Sequence, residues 1–103
     1  KNKYIEVIES HQLSKLKERF STYLKTHSLS KTIERYKILE VVGREKDSFT
    51  INSIHSKTSK EIKVSLPTVT RTLNLFYDSG IIDKINKTES EELFKTTLFK
   101  LIK

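Results

Sequence analysis

Cysteine, methionine and tryptophan are absent from this chain of 103 residues, which has only one proline and two glycines. Without cysteine the chain has no disulfide framework, no thiol nucleophile and no cysteine-based zinc site. With so little glycine and proline it lacks a flexible linker, and its length suits one modest core. We therefore expect a single domain over residues 1–103 and, because methionine is absent, a piece of a longer product.

Long apolar runs are missing as well. No stretch approaches the 18 apolar residues of a membrane span, and the N-terminus lacks a signal-peptide core, so we expect a cytoplasmic chain without membrane contact. Apolar residues make up 35% of the chain and charged residues 32%, and twenty Lys/Arg against thirteen Asp/Glu give a net charge of +7. This basic excess favours a polyanionic partner, nucleic acid before an anionic membrane surface.

Patterns that carry catalysis or metal binding are also lacking. The sequence has no glycine-rich phosphate loop and no G-x-S-x-G elbow. Its histidines, His11, His27 and His55, lie far apart and show none of the spacings typical of metal ligands. We expect no enzyme activity, no metal ion, no cofactor and no small-molecule substrate.

Residues 63–82 carry the clearest local signal, that of one complete helix followed by a strand. Ser65 is a good N-cap, and Pro67 falls in the first turn, where its missing N–H does no harm. Gly80 supplies a left-handed stop. This segment predicts a helix over about 66–79.

The predicted helix has two unlike faces. At 100° per residue one face is apolar and consists of Leu66, Val69, Leu73 and Phe76. The opposite face consists of Pro67, Thr70, Arg71, Asn74 and Asp78. Short hydroxyls with one Arg and one Asn suit the major groove of DNA, because Arg reads guanine, Asn reads adenine and short side chains permit a close approach.

The remaining segments predict three earlier helices and a later β-hairpin. The helices are expected at 4–26, from Ser30 or Thr32 to Gly43 as a stop, and from Thr50 to about Lys60. The first is expected to break near His11 and Gln12, which makes 1–12 an N-terminal helical extension. The hairpin is expected to have strands at 81–85 and 92–96 around a polar turn at 86–91, with a tail of unknown role at 97–103. This order, mainly α with about four helices and then a two-stranded wing, predicts a winged helix-turn-helix.

Candidate DNA-binding residues follow from this arrangement. Those predicted to face the groove are Ser65, Pro67, Thr68, Thr70, Arg71 and Asn74. Those predicted to neutralise phosphates are Lys31, Arg35, Lys63, Lys84 and Lys87. Contacts of the second kind give salt-dependent affinity without sequence preference, and each of these cations is otherwise a solvated surface charge. The N-terminus of the helix, behind Ser65, is also expected to accept a phosphate.

The same residues carry a family resemblance. Segment 65–82, SLPTVTRTLNLFYDSGII, resembles the signature S-L-A-T-V-Y-R-T-L-N-L-L-x-x-A-G-L-V of ferric uptake regulator (Fur) family repressors. Segment 32–40, TIERYKILE, looks like the family's T-x-x-R-x-x-I-L-E. The likeness covers about residues 16–96, the DNA-binding half of such a protein. It implies a cytoplasmic transcription regulator whose fourth helix enters the major groove.

Departures from the family pattern alter what the resemblance implies. The signature Tyr is Thr70 here, so its base contact is lost or replaced by a smaller hydroxyl or methyl contact, whereas the following Arg is kept as Arg71. Ser30 replaces the basic residue usual before the second helix, with Lys31 one place on. The family's first-half metal ligands correspond to Ser48 and Lys95, and its His-rich C-terminal domain is absent. We therefore expect no metal sensing of the usual kind.

Two functions remain open from the sequence. The first is a sequence-specific module that binds double-stranded DNA and regulates transcription. The alternative is a winged helix that docks a protein partner and no longer reads DNA, since a fold does not fix a function. Tyr4, Ile5 and Ile8 either extend the core of the first helix or form a homodimer contact.

Overall fold

The computed structural model describes residues 3–85 and 98–102, with side chains in the first helix from Gln12 onwards. Its helices are α1 Lys3–Thr26, α2 Ile33–Gly43, α3 Ile51–Ser59 and α4 Leu66–Asp78. Strands β1, Ile82–Lys84, and β2, Phe99–Leu101, follow and pair antiparallel. The predicted fold class, a mainly helical winged helix-turn-helix with a two-stranded wing, is confirmed.

Helix α1 is continuous, and the predicted break near His11 and Gln12 is wrong. Nothing in the segment interrupts the backbone hydrogen bonds, because it contains neither proline nor glycine. The helix ends at Thr26. Two residues later Ser28 has a φ of 56°, in the left-handed region, and the amide of Leu29 donates to the carbonyl of Leu24 at 2.8 Å. This is a Schellman ending built on serine in place of the usual glycine.

The next three helices start at the residues that their hydroxyls predict. Thr32 accepts a hydrogen bond from the amide of Arg35, and Ser65 accepts one from the amide of Thr68. Thr50 goes further and forms a reciprocal capping box with Ser53. Local side-chain chemistry therefore fixes where each of these helices begins.

The two glycines play different roles. Gly80 has a φ of 80°, and Ile81 behind it donates to the carbonyl of Phe76 at 2.8 Å, so it is the predicted left-handed stop of α4. Gly43 is the last residue of α2, but the C-cap Arg44 is right-handed, with φ −85° and ψ −12°. The helix therefore ends at Gly43 as expected, though without the left-handed turn of a glycine stop.

All four helices and both strands contribute to one apolar core. Its buried residues are Phe20, Leu24, Ile38, Leu39, Val41, Val42, Phe49, Ile51, Ile54, Val69, Leu73, Phe76, Ile81, Ile82 and Phe99. Phe20 of α1 lies at the centre, with its ring edge-on to that of Phe76 at 4.8 Å and to that of Tyr36 at 5.6 Å. The long first helix is thus packed against both α2 and α4.

The wing, meaning strands β1 and β2, is held by pairs on both sides of β2. On one side Ile82 lies opposite Leu101 and Lys84 opposite Phe99. On the other, Phe99 exchanges two backbone hydrogen bonds with Phe49, just before α3. The returning strand predicted at 92–96 lies outside the described residues. The strand that pairs with β1 lies within 97–103, the segment predicted to be a tail of unknown role.

No helix within residues 3–85 and 98–102 combines the length and the apolar character needed to cross a bilayer.

Candidate nucleic-acid interface

Helix α4 presents one face to the core and the other to solvent. Val69, Leu73 and Phe76 are completely buried. Thr72 is buried with them, and its hydroxyl donates to the carbonyl of Thr68 at 2.8 Å. The inner face fixes the rotation of the helix about its axis, and with it the direction in which the outer side chains point.

Arg71 and Asn74 stand on the outer face, where both are exposed. They are three residues apart and therefore neighbours on one side of the helix. Within the described part of the chain, neither side chain makes a hydrogen bond or an ion pair, so their donors are available to a ligand. Pro67, one turn before Arg71, is exposed on the same side.

The three hydroxyls predicted to face the groove are already partly used by the helix itself. The oxygen of Ser65 accepts from the amide of Thr68 at 3.3 Å and lies 2.8 Å from the hydroxyl of Thr68. The hydroxyl of Thr70 donates to the carbonyl of Leu66 at 3.0 Å. Their first role is to shape the start of α4. What they still offer outward is oxygen lone pairs, the methyl groups of the two threonines, and the one hydroxyl proton that the Ser65–Thr68 pair does not use.

The N-terminus of α4 offers fewer free amides than an ordinary helix start. Pro67 has no N–H, and the amides of Thr68 and Val69 donate to Ser65. Of the first amides of this helix, that of Leu66 is the one for which the described residues supply no acceptor. The phosphate site expected behind Ser65 is therefore reduced to a single main-chain donor.

The predicted phosphate neutralisers occupy three different elements. Lys63 precedes α4 and Lys31 precedes α2, and both are exposed and unpaired within the described residues. Arg35, in the first turn of α2, donates a hydrogen bond to the carbonyl of Ser30. Lys84 of β1 places its ammonium 4.5 Å from the ring centroid of Tyr77, in the last turn of α4. Lys87 lies outside the described residues.

A second group of cations is paired with carboxylates and lies where α2 meets the turn between α3 and α4. We call Lys37, Arg44 and Glu61 the charge cluster. The carboxylate oxygens of Glu61 lie 2.7 Å from a guanidinium nitrogen of Arg44 and 3.4 Å from the ammonium of Lys37. The hydrogen bond from Arg44 lowers the pKa of the Glu61 carboxyl, and the same bond raises the pKa of the Arg44 guanidinium.

Two other contacts hold the elements of the helix-turn-helix together. The ammonium of Lys57, in α3, lies 2.6 Å from the carboxylate of Glu45, in the loop after α2. The imidazole Nε2 of His55 lies 3.0 Å from the carbonyl of Val64 and must donate, because a carbonyl can only accept. His55 thereby ties α3 to the residue before the N-cap of α4, which is a structural role.

Two residues of α4 escape the sequence-based assignment. Leu66 was assigned to the apolar core face but is 38% exposed, because the first residue of a helix projects beyond the elements that cover the next turn. Tyr77 is exposed at the other end and lies beneath Lys84. The position of Leu66 at the start of the helix was a local signal of its exposure, whereas no local signal indicated the contact between Tyr77 and Lys84.

The donor chemistry at the matched metal positions does not suit a metal ion. Ser48 is exposed and offers a neutral hydroxyl, while the ammonium of Lys95, at a position outside the described residues, has no lone pair to donate. No three His, Asp or Glu residues cluster in the described ranges in a way that could hold a metal ion.

Helices α3 and α4 form a helix-turn-helix whose turn is held by His55, and the wing packs against it. Together they define a winged helix-turn-helix protein. A model of the ferric uptake regulator family matches residues 26–100. The chain belongs to the ferric uptake regulator family, a family of transcription regulators.

Solved structures agree with this fold. The chain is similar to the ferric uptake regulator of Helicobacter pylori, with a TM-score of 0.72 and 18% identity over 86% of this chain and 57% of that one. The chain is also similar to a manganese uptake regulator, with a TM-score of 0.63 and 20% identity over 82% of this chain and 59% of that one. For the ferric uptake regulator of Vibrio cholerae the TM-score is 0.58 and the identity 28%, over 78% of this chain and 59% of that one. The chain thus spans less than two thirds of each, and no curated protein matches it.

Proposed function

We propose that this chain is a sequence-specific module that binds double-stranded DNA and represses transcription. Helix α4 enters the major groove with its outer face, and the wing lies along the sugar-phosphate backbone. The family is one of transcription regulators, which supports this reading, and the net charge of +7 suits a polyanion.

The observation that carries the proposal is the state of the outer face of α4. Arg71 and Asn74 are exposed and lack protein partners in the described ranges. Arg donates two hydrogen bonds to guanine O6 and N7, and Asn pairs with adenine N6 and N7. Pro67 and Thr70, on the same face of the helix, are short, which favours a close approach to the base edges.

Cations around this face supply the part of the affinity that does not depend on sequence. Lys63 lies just before the N-cap of α4, and Lys84 lies at the end of the same helix, over Tyr77. The two positions bracket the groove-facing surface, as contacts to the phosphates on either side of a groove require. Lys31 and Arg35, on α2, extend the basic surface to a further element.

The test begins with selection of a binding site from a random duplex pool by the full 103-residue chain. The selected duplex is then titrated with wild type and with two matched variants, Arg71→Ala and Arg44→Ala. Each removes one exposed guanidinium, but Arg44 is already occupied by Glu61 at 2.7 Å. We expect Arg71→Ala to lower the affinity about 5- to 150-fold and to relax the preference at one guanine.

Arg44→Ala is expected to leave both affinity and sequence preference nearly unchanged. The wild type should bind the selected site at least about a thousandfold more tightly than unrelated DNA and lose affinity steeply with salt. A palindromic product indicates a homodimer on DNA, and a single half-site indicates a monomer. If no sequence is enriched, or if the two arginine variants behave alike, the proposal is wrong and the protein-docking alternative gains support.

A further inference from the structure

The first turn of α4 exposes part of an apolar side chain that the sequence pattern assigns to the core face. Leu66 is the first residue of the helix and is 38% exposed, although its neighbours Val69 and Leu73 in the apolar stripe are fully buried. Most of the Leu66 surface is covered by the protein, and the part that stays accessible lies at the N-terminal end of α4. It lies on the part of α4 that enters the groove under the proposed function.

Thr70 lies one helical turn after Leu66 and adds a second apolar group. Its hydroxyl proton is committed to the carbonyl of Leu66 at 3.0 Å. A hydroxyl that already donates within its own helix cannot donate to a base acceptor without breaking that bond. What Thr70 retains for an outside partner is its γ-methyl group and the lone pairs of its oxygen.

Within the major groove, the C5-methyl group of thymine is the one apolar feature that a base pair presents. A leucine side chain and a threonine methyl one turn apart are therefore matched to thymine and to no other base. Four residues correspond to about 6 Å along the helix axis, which is nearly two base-pair steps of about 3.4 Å, so the two groups reach different base pairs. Arg71 adjoins Thr70 and carries the donors for a guanine beside them.

We propose that Leu66 and the methyl group of Thr70 form an apolar patch that selects thymine by its C5-methyl group next to the guanine read by Arg71. This inference rests on the proposed function and adds a base preference to it. Leu66 is then a determinant of specificity, although the sequence pattern assigns it to the core.

The test uses the selected duplex and a series in which one thymine at a time is replaced by deoxyuridine, which lacks only the methyl group. The full chain is titrated with each duplex by fluorescence anisotropy. We expect uracil to lower the affinity about fourfold at one or two positions beside the guanine, as for the loss of one buried methyl contact. The ratio of the two affinities is the readout, because a variant that is partly unfolded loses affinity for both duplexes equally.

Leu66→Ala is expected to bring this ratio close to one at one of those positions. Ile33→Ala is the matched control, since Ile33 is also the first residue of its helix and is 79% exposed. That variant is expected to keep the wild-type ratio. Two changes at Thr70 separate its methyl group from its hydroxyl: Thr70→Val keeps the thymine preference, and Thr70→Ser loses it.

Three outcomes overturn the inference while leaving DNA recognition intact. One is equal affinity of the wild type for the thymine and uracil duplexes. Another is an unchanged ratio in Leu66→Ala. The third is a reversed result at Thr70, with the preference kept by Ser and lost by Val, which would show that the hydroxyl reads the base. Failure to enrich any site would instead contradict the proposed function itself.

Discussion

Two groups of cations on this small domain have opposite environments. In the charge cluster, Arg44 and Lys37 lie against the carboxylate of Glu61. On the outer face of α4, Arg71 lies among hydroxyls, an amide and a proline, without a carboxylate partner in the described ranges. Both arginines are exposed and look alike in sequence. The difference is that the field of Arg44 is largely cancelled by its neighbour, whereas that of Arg71 is not.

The comparison indicates that the availability of a charge, more than its presence, separates a binding surface from a structural contact. A guanidinium that already donates to a carboxylate has fewer donors left for a phosphate or a base, and the carboxylate partly neutralises its charge. An unpaired one gives up only water. The net charge of +7 is therefore a poor guide to where an anion binds, and the distribution of carboxylates is a better one.

The largest effect is expected when Arg71 is given a carboxylate partner on the next turn of α4. Asn74→Asp changes an amide to an isosteric carboxylate within one turn of Arg71, so it pairs that arginine and repels phosphates. We expect at least a tenfold loss of affinity for the selected duplex, measured by anisotropy, with little change in Tm.

Gln12→Glu is the control for this change. It introduces the same amide-to-carboxylate difference at an exposed position of α1, far along the chain from α4. We expect a loss of at most about threefold there, from the reduced net charge alone. Equal losses in the two variants would mean that the site on α4 has no special status.

A polar group without a partner is available to a ligand when it is exposed, but it destabilises the fold when it is buried. The hydroxyl of Thr58, on α3, is completely buried and has no hydrogen-bond partner in the described structure. Since valine has nearly the same shape and no polar group to desolvate, Thr58→Val should raise the free energy of unfolding by about 1 kcal/mol. Urea denaturation measures this change.

Thr72→Val provides the contrast, because Thr72 is equally buried but its hydroxyl donates to the carbonyl of Thr68. There we expect no gain in stability. DNA affinity should be unchanged in the Thr58 variant. A destabilised Thr58→Val protein would show that this hydroxyl is satisfied in solution.

A smaller effect, on the salt dependence of DNA affinity, is expected to distinguish an unpaired lysine from a paired one. Lys63 is exposed and unpaired in the described part of the chain, whereas Lys57 is paired with Glu45 at 2.6 Å. If Lys63 contacts one phosphate, Lys63→Ala should reduce the slope of log affinity against log salt by about 0.9. Lys57→Ala should leave the slope as it is. A lower slope in the second variant alone would reverse the assignment.

The smallest effect concerns the charge cluster and its dependence on pH. Because Arg44 and then Lys37 lower the pKa of the Glu61 carboxyl, this group stabilises the fold above the ordinary pKa of glutamate. Its contribution is lost as the pH falls through the lowered pKa. In Glu61→Gln the Tm should be slightly below that of wild type at neutral pH, and the gap should narrow as the pH falls below the ordinary pKa of glutamate.

Glu18→Gln serves as the comparison for that experiment, since Glu18 is exposed on α1 and takes part in no ion pair within the described ranges. Its Tm difference from wild type should vary little with pH. A Glu61→Gln gap that persists in acid would show that the carboxylate charge does not stabilise the fold.

Features set by neighbouring residues could be predicted from the sequence. The start of α4 at Ser65 and its stop at Gly80 follow from a hydroxyl cap and a left-handed glycine, and both are where the pattern put them. The helix-turn-helix order follows from three such helices in succession. These signals act within four or five residues and do not need the rest of the fold.

Features set by distant residues could not be predicted. Strand β2 depends on pairing with β1 and with Phe49, fifty residues earlier, and its own residues alternate too weakly to reveal it. The pairing of Arg44 depends on Glu61, which no spacing within one helix relates to it. The exposure of Leu66 depends on which elements end before reaching it. The groove-facing residues themselves stay a prediction until DNA binding is measured.

The double pairing of β2 also has a consequence for biosynthesis. Phe99 fills the core between the residue before α3 and the strand after α4, and its ring stacks against that of Phe49 at 6.1 Å. Contacts this distant in sequence are formed late and slow the folding of a small domain. A ribosome must therefore translate past Phe99 before the core can close. Until then the nascent chain holds helices without their final strand.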